Sequence, residues 1–172
     1  MQTYIRFVAL ISRLCGVTSA LMVLVSVLIV CQMVFIRYVL ETSSIWQTEF
    51  VTYLLLAATL VGSPYVLLTR GHVNVDLLPI YLGHRGRMVL AFFAALMSLA
   101  FCLVMTWSGW HLWYEAWDSE WLSDTVWGVR LWIPYLAIPV GFGVLSLQYV
   151  ADLLSLATGR DMPFGLSPGE NA

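Results

Sequence analysis

The chain has 172 residues, of which 60% are hydrophobic and only 10% are charged, and its mean hydropathy is +0.85. Soluble domains carry about 25% charged residues, so this composition excludes a water-soluble globular protein and makes the bilayer the solvent for most of the surface. The net charge of −2 is small and says nothing about nucleic acid, but the chain contains no Lys and no basic run or patch of the kind that nucleic-acid binding requires.

Four segments contain no Asp, Glu, Lys or Arg. They are residues 14–36, 50–69, 88–110 and 131–151. At about 1.5 Å rise per residue, about 20 residues of helix cross a hydrocarbon core of about 30 Å. Because backbone polar groups in lipid must bond within their own segment, each segment should be a helix. The sequence therefore predicts an all-α membrane protein with four transmembrane helices, forming a single membrane domain over residues 1–172.

The distribution of Arg predicts the orientation. If the N-terminus lies in the cytoplasm, six of the eight Arg lie on the cytoplasmic side and only Arg37 and Arg130 lie outside. Cytoplasmic loops of membrane proteins carry an excess of positive residues. We therefore predict that both termini are cytoplasmic.

All eight Trp residues lie near or beyond the predicted outer interface, where the amphipathic indole is favoured. From Trp110 the spacing places Trp113, Trp117 and Trp121 on one helical face, so we expect the third helix to continue past the membrane surface. The Trp face has two interpretations, an aromatic belt at headgroup depth or a stripe packed against another protein.

The outer connection after the first span should form a short helix or turn at the membrane surface. Thr42, Ser43 and Ser44 can supply an N-cap, and Glu49 opens the second helix, where a carboxylate complements the helix dipole. The default role of Glu49 is therefore structural, and contact with a partner subunit is the alternative.

The inner loop, residues 69–87, is too apolar for a solvated loop and too short to span. It predicts a bent interfacial segment, with Gly71 ending the second helix. In the fourth span, Pro134 lies in the first turn, whereas Pro139 lies deeper and should kink or loosen the helix. Residues 160–172 form a Pro- and Gly-rich tail that we expect to be flexible.

No ionisable residue lies within the four predicted spans, although such residues normally mark substrate or proton paths. The strongest polar groups at depth, Gln32 and Gln148, can bond across helices. His72 and His84 lie in the inner loop and His111 lies at the outer end of the third helix, so they cannot clamp one haem iron. We predict no catalytic residue, no metal site and no cofactor. These features alone indicate an accessory or scaffold membrane subunit.

A set of short motifs, in order along the chain, resembles the DctQ-like family, the small membrane subunits of tripartite ATP-independent periplasmic (TRAP) transporters. The matching residues are Arg37-Tyr38 after the first span, Trp46 and Glu49 at the entry to the second, Gly62 within it, Arg70-Gly71-His72 and Asp76 in the inner loop, and Pro134, Pro139 and Gly141 in the fourth span. The sequence departs from the family pattern at Thr48, which replaces the first Glu of a WxEE motif, and at Thr52, where Arg is frequent.

The resemblance implies a bacterial inner-membrane importer of organic acids such as carboxylates, driven by an ion gradient. In this family a large multi-span permease subunit carries the substrate and sodium sites and moves as an elevator, and a periplasmic solute-binding protein delivers the substrate. This chain would be the non-catalytic small subunit that braces the large one against the lipid bilayer. The alternative is the membrane anchor of a redox enzyme, which would bind a coloured cofactor. A free-standing channel is a third interpretation.

Overall fold

The computed structural model describes residues 2–42, 45–69 and 84–157. These ranges contain five helices, which are α1 (Gln2–Val39), α2 (Trp46–Leu68), α3 (His84–Asp118), α4 (Trp132–Tyr135) and α5 (Ala137–Ala157). Four helical segments are long and apolar enough to cross a membrane, namely Tyr4–Val39, Trp46–Leu68, Phe92–Asp118 and Trp132–Ser155. The predicted all-α fold with four spans is confirmed.

The first and third helices are longer than their predicted spans. α1 has 38 residues and α3 has 35, which correspond to about 57 Å and about 52 Å at 1.5 Å per residue, well beyond a hydrocarbon core of about 30 Å. The charge-free segment 14–36 therefore lies towards the C-terminal end of α1, and the segment 88–110 lies within α3 with helical residues on both sides. The continuation of the third helix beyond residue 110 is confirmed, and it ends at Asp118.

Helix α5 occupies the centre of the described structure. It packs against α1, α2 and α3, whereas α1 packs mainly on α2, and α3 packs mainly on α5. In the most apolar stretch of the Trp132–Ser155 span 33% of the residues are buried, against 6% for Tyr4–Val39. The helices therefore form a cluster of α1, α2 and α5, with α3 on the flank of α5 and much of its surface left to lipid or to another protein.

Small residues allow the central helices to approach closely, as membrane helices commonly do. The Ser19 hydroxyl of α1 donates a hydrogen bond to the Ala58 carbonyl of α2 at 2.6 Å. A Cβ added to Gly62 would lie 2.6 Å from Ser19 Oγ, and one added to Gly141 would lie 2.7 Å from the carbonyl oxygen of Leu60. Gly62 and Gly141, both singled out by the sequence, therefore lie at the α1–α2 and α2–α5 contacts.

The fourth span divides into α4 and α5 at Leu136, where the backbone keeps helical angles of φ −58° and ψ −29°. Leu136 makes both of its helical hydrogen bonds, to the Trp132 carbonyl at 3.2 Å and from the Val140 N–H at 3.3 Å. The bond that is missing is the one to the Tyr135 carbonyl, because Pro139, four residues later, has no N–H. Pro134 lies in the opening turn as predicted. The break one turn before Pro139 is the loosening that the sequence predicts, and the kink stays a prediction.

The connection before α2 is described in part. Its residues 40–42 are not helical, and Glu41 has φ 52°. Ile45 precedes the helix and makes no side-chain capping bond, whereas the predicted caps Ser43 and Ser44 lie outside the described residues.

Helix α2 ends at Leu68, with Thr69 as its C-cap. Residues 84–87, which the prediction assigned to the inner loop, form the first turn of α3. The expectations for Gly71, the rest of the interfacial segment and the tail at 160–172 fall outside the described residues.

Candidate functional site

One end of the molecule, which we call the loop end, brings together the start of α2 and the 119–131 loop that joins α3 to α4. This loop is ordered by its own backbone. Leu122 and Arg130 form an antiparallel bridge, and the Ser123 N–H donates to the Val129 carbonyl at 2.8 Å. Gly128, with φ 58°, occupies the turn, where the left-handed backbone favours glycine. The loop is therefore a compact hairpin-like unit.

The carboxylate of Glu49 ties α2 to this loop. Tyr53 Oη donates a hydrogen bond to Glu49 Oε1 at 2.8 Å. Ser123 Oγ donates to the same oxygen, and Thr125 Oγ1 donates to Oε2. We call these four residues the Glu49 clasp. A carboxylate accepts through both oxygens, and hydrogen bonds to an ionised acceptor are about twice as strong as neutral ones.

Three aromatic rings lie beside the clasp, between α2 and the 119–131 loop. Trp46 and Phe50 of α2 and Trp127 of the loop lie around one another, with ring centroids 6.1–6.2 Å apart in tilted or edge-on arrangements. Such pairs contribute about 0.5–1.5 kcal/mol beyond the area that they bury. The polar clasp and this aromatic trio together hold the loop against the first turn of α2.

A row of indoles follows one face of α3. The ring centroids are 5.1 Å apart for Trp110 and Trp113, 5.8 Å for Trp113 and Trp117, and 4.6 Å for Trp117 and Trp132. The predicted face through Trp121 is corrected, because α3 ends at Asp118 and Glu120 turns the chain with φ 49°. Trp132 of α4 is the fourth ring in the row.

The residues singled out from the sequence fall into separate places. Arg37 and Tyr38 lie in the last turn of α1 and are exposed. Trp46 and Glu49 meet the 119–131 loop, whereas Gly62, Pro134, Pro139 and Gly141 are buried in the helix contacts. Arg70, Gly71, His72 and Asp76 lie outside the described residues, so their roles stay predictions.

The clasp depends on residues that the sequence did not single out. Ser123, Thr125 and Tyr53 are common residue types without a motif, and their approach to Glu49 follows from the fold of the loop. The sequence places Trp127 among the Trp residues of the outer interface, but it does not predict the contact of Trp127 with α2. A lone Glu at the start of an apolar helix and a Ser and a Thr far along the chain, between Trp121 and Trp127, form no recognisable motif.

A second polar link joins helices at the opposite end. Ser12 Oγ of α1 donates to Gln148 Oε1 of α5 at 2.9 Å, and Gln148 Nε2 donates to Asp152 Oδ1 at 3.0 Å. The predicted cross-helix bond of Gln148 is confirmed, whereas Gln32 is exposed. The Trp132–Ser155 span includes Asp152, which the shorter predicted span left out.

No group of three His, Cys, Asp or Glu side chains that could hold a metal ion occurs in the part of the chain that the structure describes. His111 packs its ring on Trp107, with centroids 4.9 Å apart. The three cysteines, Cys15, Cys31 and Cys102, are free thiols. The polar and aromatic contacts of the described residues therefore either join helices to one another or hold the 119–131 loop against α2.

These features define a multi-pass α-helical membrane protein with a structured loop held at one end of its spans. The chain belongs to a family of transporter components, the DctQ component of tripartite ATP-independent periplasmic transporters, whose family profile matches residues 26–159. The family resemblance drawn from the motifs is thereby confirmed.

One relative gives a second comparison. The chain is 25% identical over 148 residues to the C4-dicarboxylate TRAP transporter small permease protein DctQ of Vibrio cholerae serotype O1. The alignment covers 74% of this chain and 64% of that protein, so the chain spans less than two thirds of the length of this relative.

Proposed function

We propose that this chain is the small permease subunit of a TRAP transporter that imports organic acids, with C4-dicarboxylates as the favoured class. The observation that carries the proposal is the family match over residues 26–159, which includes the last part of α1, from residue 26 to Val39, and all of α2–α5. The name of the Vibrio relative supports the dicarboxylate class. The family match gives no support to the anchor of a redox enzyme.

In this role the chain braces a large multi-span permease subunit, which carries the substrate and coupling-ion sites. Residues 14–36, 50–69, 88–110 and 131–151 contain no Asp, Glu, Lys, Arg or His, and a migrating ion needs such groups or a water-lined path. Buried polar groups such as Ser12 and Gln148 bond to each other across helices. This inventory suits a passive support and not the moving carrier.

The proposed setting is a bacterial inner membrane with both termini in the cytoplasm. The excess of Arg on the side of the termini supports this orientation. It places the loop end in the periplasm, where the Glu49 clasp presents the 119–131 loop to the large subunit or to the periplasmic solute-binding protein. Arg70, Gly71, His72 and Asp76 would then lie at the cytoplasmic surface.

Copurification tests the assignment. A tagged copy of this chain, expressed with a large TRAP permease subunit from the same organism, should retain that permease through affinity and size-exclusion steps in mild detergent. Deletion of this chain should abolish growth on the transported acid while the permease is still made. If the two proteins separate during purification and the deletion strain takes up the acid as fast as the wild type, the assignment is refuted.

A further inference from the structure

An apolar groove of about 710 Å³ runs from the loop end between α2 and the α4–α5 segment. One wall is α2 from Phe50 to Val61, and the facing wall runs from Ile133 to Val140. Trp127 and Arg130 of the 119–131 loop line the groove where it meets the loop end. The volume lies within the range of about 300–1,000 Å³ that is typical of small-ligand pockets.

The groove is about as long as one leaflet is deep. The helical rise from Phe50 to Val61 is about 16 Å, close to half of a hydrocarbon core of about 30 Å. A hydrocarbon chain of one leaflet therefore matches the groove in length.

The wall of the groove is chemically matched to hydrocarbon. Leu54, Val61 and Val140 are representative of its lining. The hydroxyl of Tyr53 belongs to the Glu49 clasp, to which it donates at 2.8 Å, so only the ring contributes to the apolar wall. A polar ligand would find few partners along this length, because unpaired polar groups are costly in such surroundings.

Arg130 supplies one positive charge at the headgroup end. Its side chain is exposed, and within residues 2–42, 45–69 and 84–157 it forms no ion pair. A guanidinium pairs with phosphate through two parallel N–H···O bonds. The charge therefore lies where the phosphate of a lipid would lie if the lipid's acyl chain filled the groove.

We propose that the groove binds a phospholipid of the leaflet at the loop end, with an acyl chain between α2 and α5 and the phosphate on Arg130. The proposal requires only that the helices span the bilayer. It is independent of the orientation of the chain and of its role in transport.

Native mass spectrometry tests the proposal on the full-length chain extracted in mild detergent. The wild type should retain one phospholipid per chain, and Arg130→Gln should reduce the retained fraction severalfold. Arg37→Gln is the matched control, because Arg37 is also exposed at the end of a helix but does not line the groove. Equal retention in Arg130→Gln and wild type would overturn the assignment of the phosphate to Arg130.

Two further measurements test whether the acyl chain of the lipid occupies the groove. Ala137→Phe fills the groove while it leaves Arg130 in place, so it should lose the lipid with its helix content unchanged by circular dichroism. A photoreactive benzophenone side chain in place of Leu54 should give adducts with the mass of a phospholipid when native membranes are irradiated. Retention of the lipid by Ala137→Phe, or adducts at Leu54 with a protein alone, would contradict the proposal.

Discussion

Glu49 connects two parts of the chain that lie 74 residues apart. Its carboxylate accepts hydrogen bonds from hydroxyl groups of both α2 and the 119–131 loop. The sequence departs from the family pattern around this residue. Thr48 Oγ1 faces Met33 Sδ at 3.5 Å, and Thr52 Oγ1 bonds to the Thr48 carbonyl of its own helix at 2.9 Å. In this chain the loop is therefore anchored to Glu49 by neutral hydroxyls.

Removal of the carboxylate should release the loop. Glu49→Ala deletes the acceptor of all three hydroxyls, so we expect cleavage by chymotrypsin within the 119–131 loop to become severalfold faster, and uptake or assembly to weaken. Glu115→Ala, an exposed acid on α3, is the control and should behave as the wild type. Unchanged cleavage in Glu49→Ala would show that the loop holds its fold without the clasp.

At the level of helices, the charge-free segments predicted which parts of the chain cross the membrane, because transfer of charge into hydrocarbon is unfavourable. Helix ends are less predictable, since α1 and α3 continue beyond the charge-free segments, where the composition changes without ending the helix. The exact place of the break between α4 and α5 follows from the Tyr135 carbonyl, to which Pro139 cannot donate a hydrogen bond. The central place of α5 depends on contacts between distant segments.

The two glycines of α5 give a matched pair for testing helix packing. A Cβ at residue 141 would overlap the Leu60 backbone, whereas the nearest atom to a Cβ at residue 143 is Thr106 Cγ2, at 3.8 Å. Gly141→Ala should therefore lower the free energy of unfolding in detergent by about 1–3 kcal/mol, as overpacking does. Gly143→Ala should leave the unfolding midpoint unchanged or raise it. Equal midpoints for the two variants would mean that α2 and α5 are not in this close contact.

The bond between Ser12 and Gln148 can be measured with a double-mutant cycle. Ser12→Ala, Gln148→Leu and the double variant should yield a coupling free energy of about 0.6–1.7 kcal/mol in detergent unfolding, the range found for hydrogen bonds between membrane helices. Ser26→Ala is the control in place of Ser12→Ala, because the Ser26 hydroxyl bonds to the Met22 carbonyl within α1. Additive effects of the Ser12 and Gln148 changes would contradict a direct bond.

For the whole molecule, the packing of the described helices leaves one flank of α3 and much of the surface of α1 exposed. Large apolar side chains such as Leu14, Leu28 and Phe93 remain about 60% exposed. A subunit of this shape offers a wide lipid-compatible surface and suits a role as a support. The composition of the chain predicts this apolar surface. Which part of it a partner covers depends on the sequence of that partner.

The orientation is testable through fusions at residue 157 and within the 119–131 loop. A green fluorescent protein joined after α5 should fluoresce, because it folds in the cytoplasm, whereas alkaline phosphatase inserted in the loop should be active, because it folds in the periplasm. The Arg distribution is the physical reason for this expectation. The reverse pattern of activities would place the loop end in the cytoplasm.

The most direct measurement of the central claim is uptake of a labelled dicarboxylate into vesicles under an inward sodium gradient. Vesicles that contain this chain and the large permease, supplied with the solute-binding protein, should accumulate the acid, and vesicles that contain this chain alone should not. Omission of this chain should reduce uptake to background. Accumulation by this chain alone, or full uptake in its absence, would contradict the account of a non-catalytic support subunit.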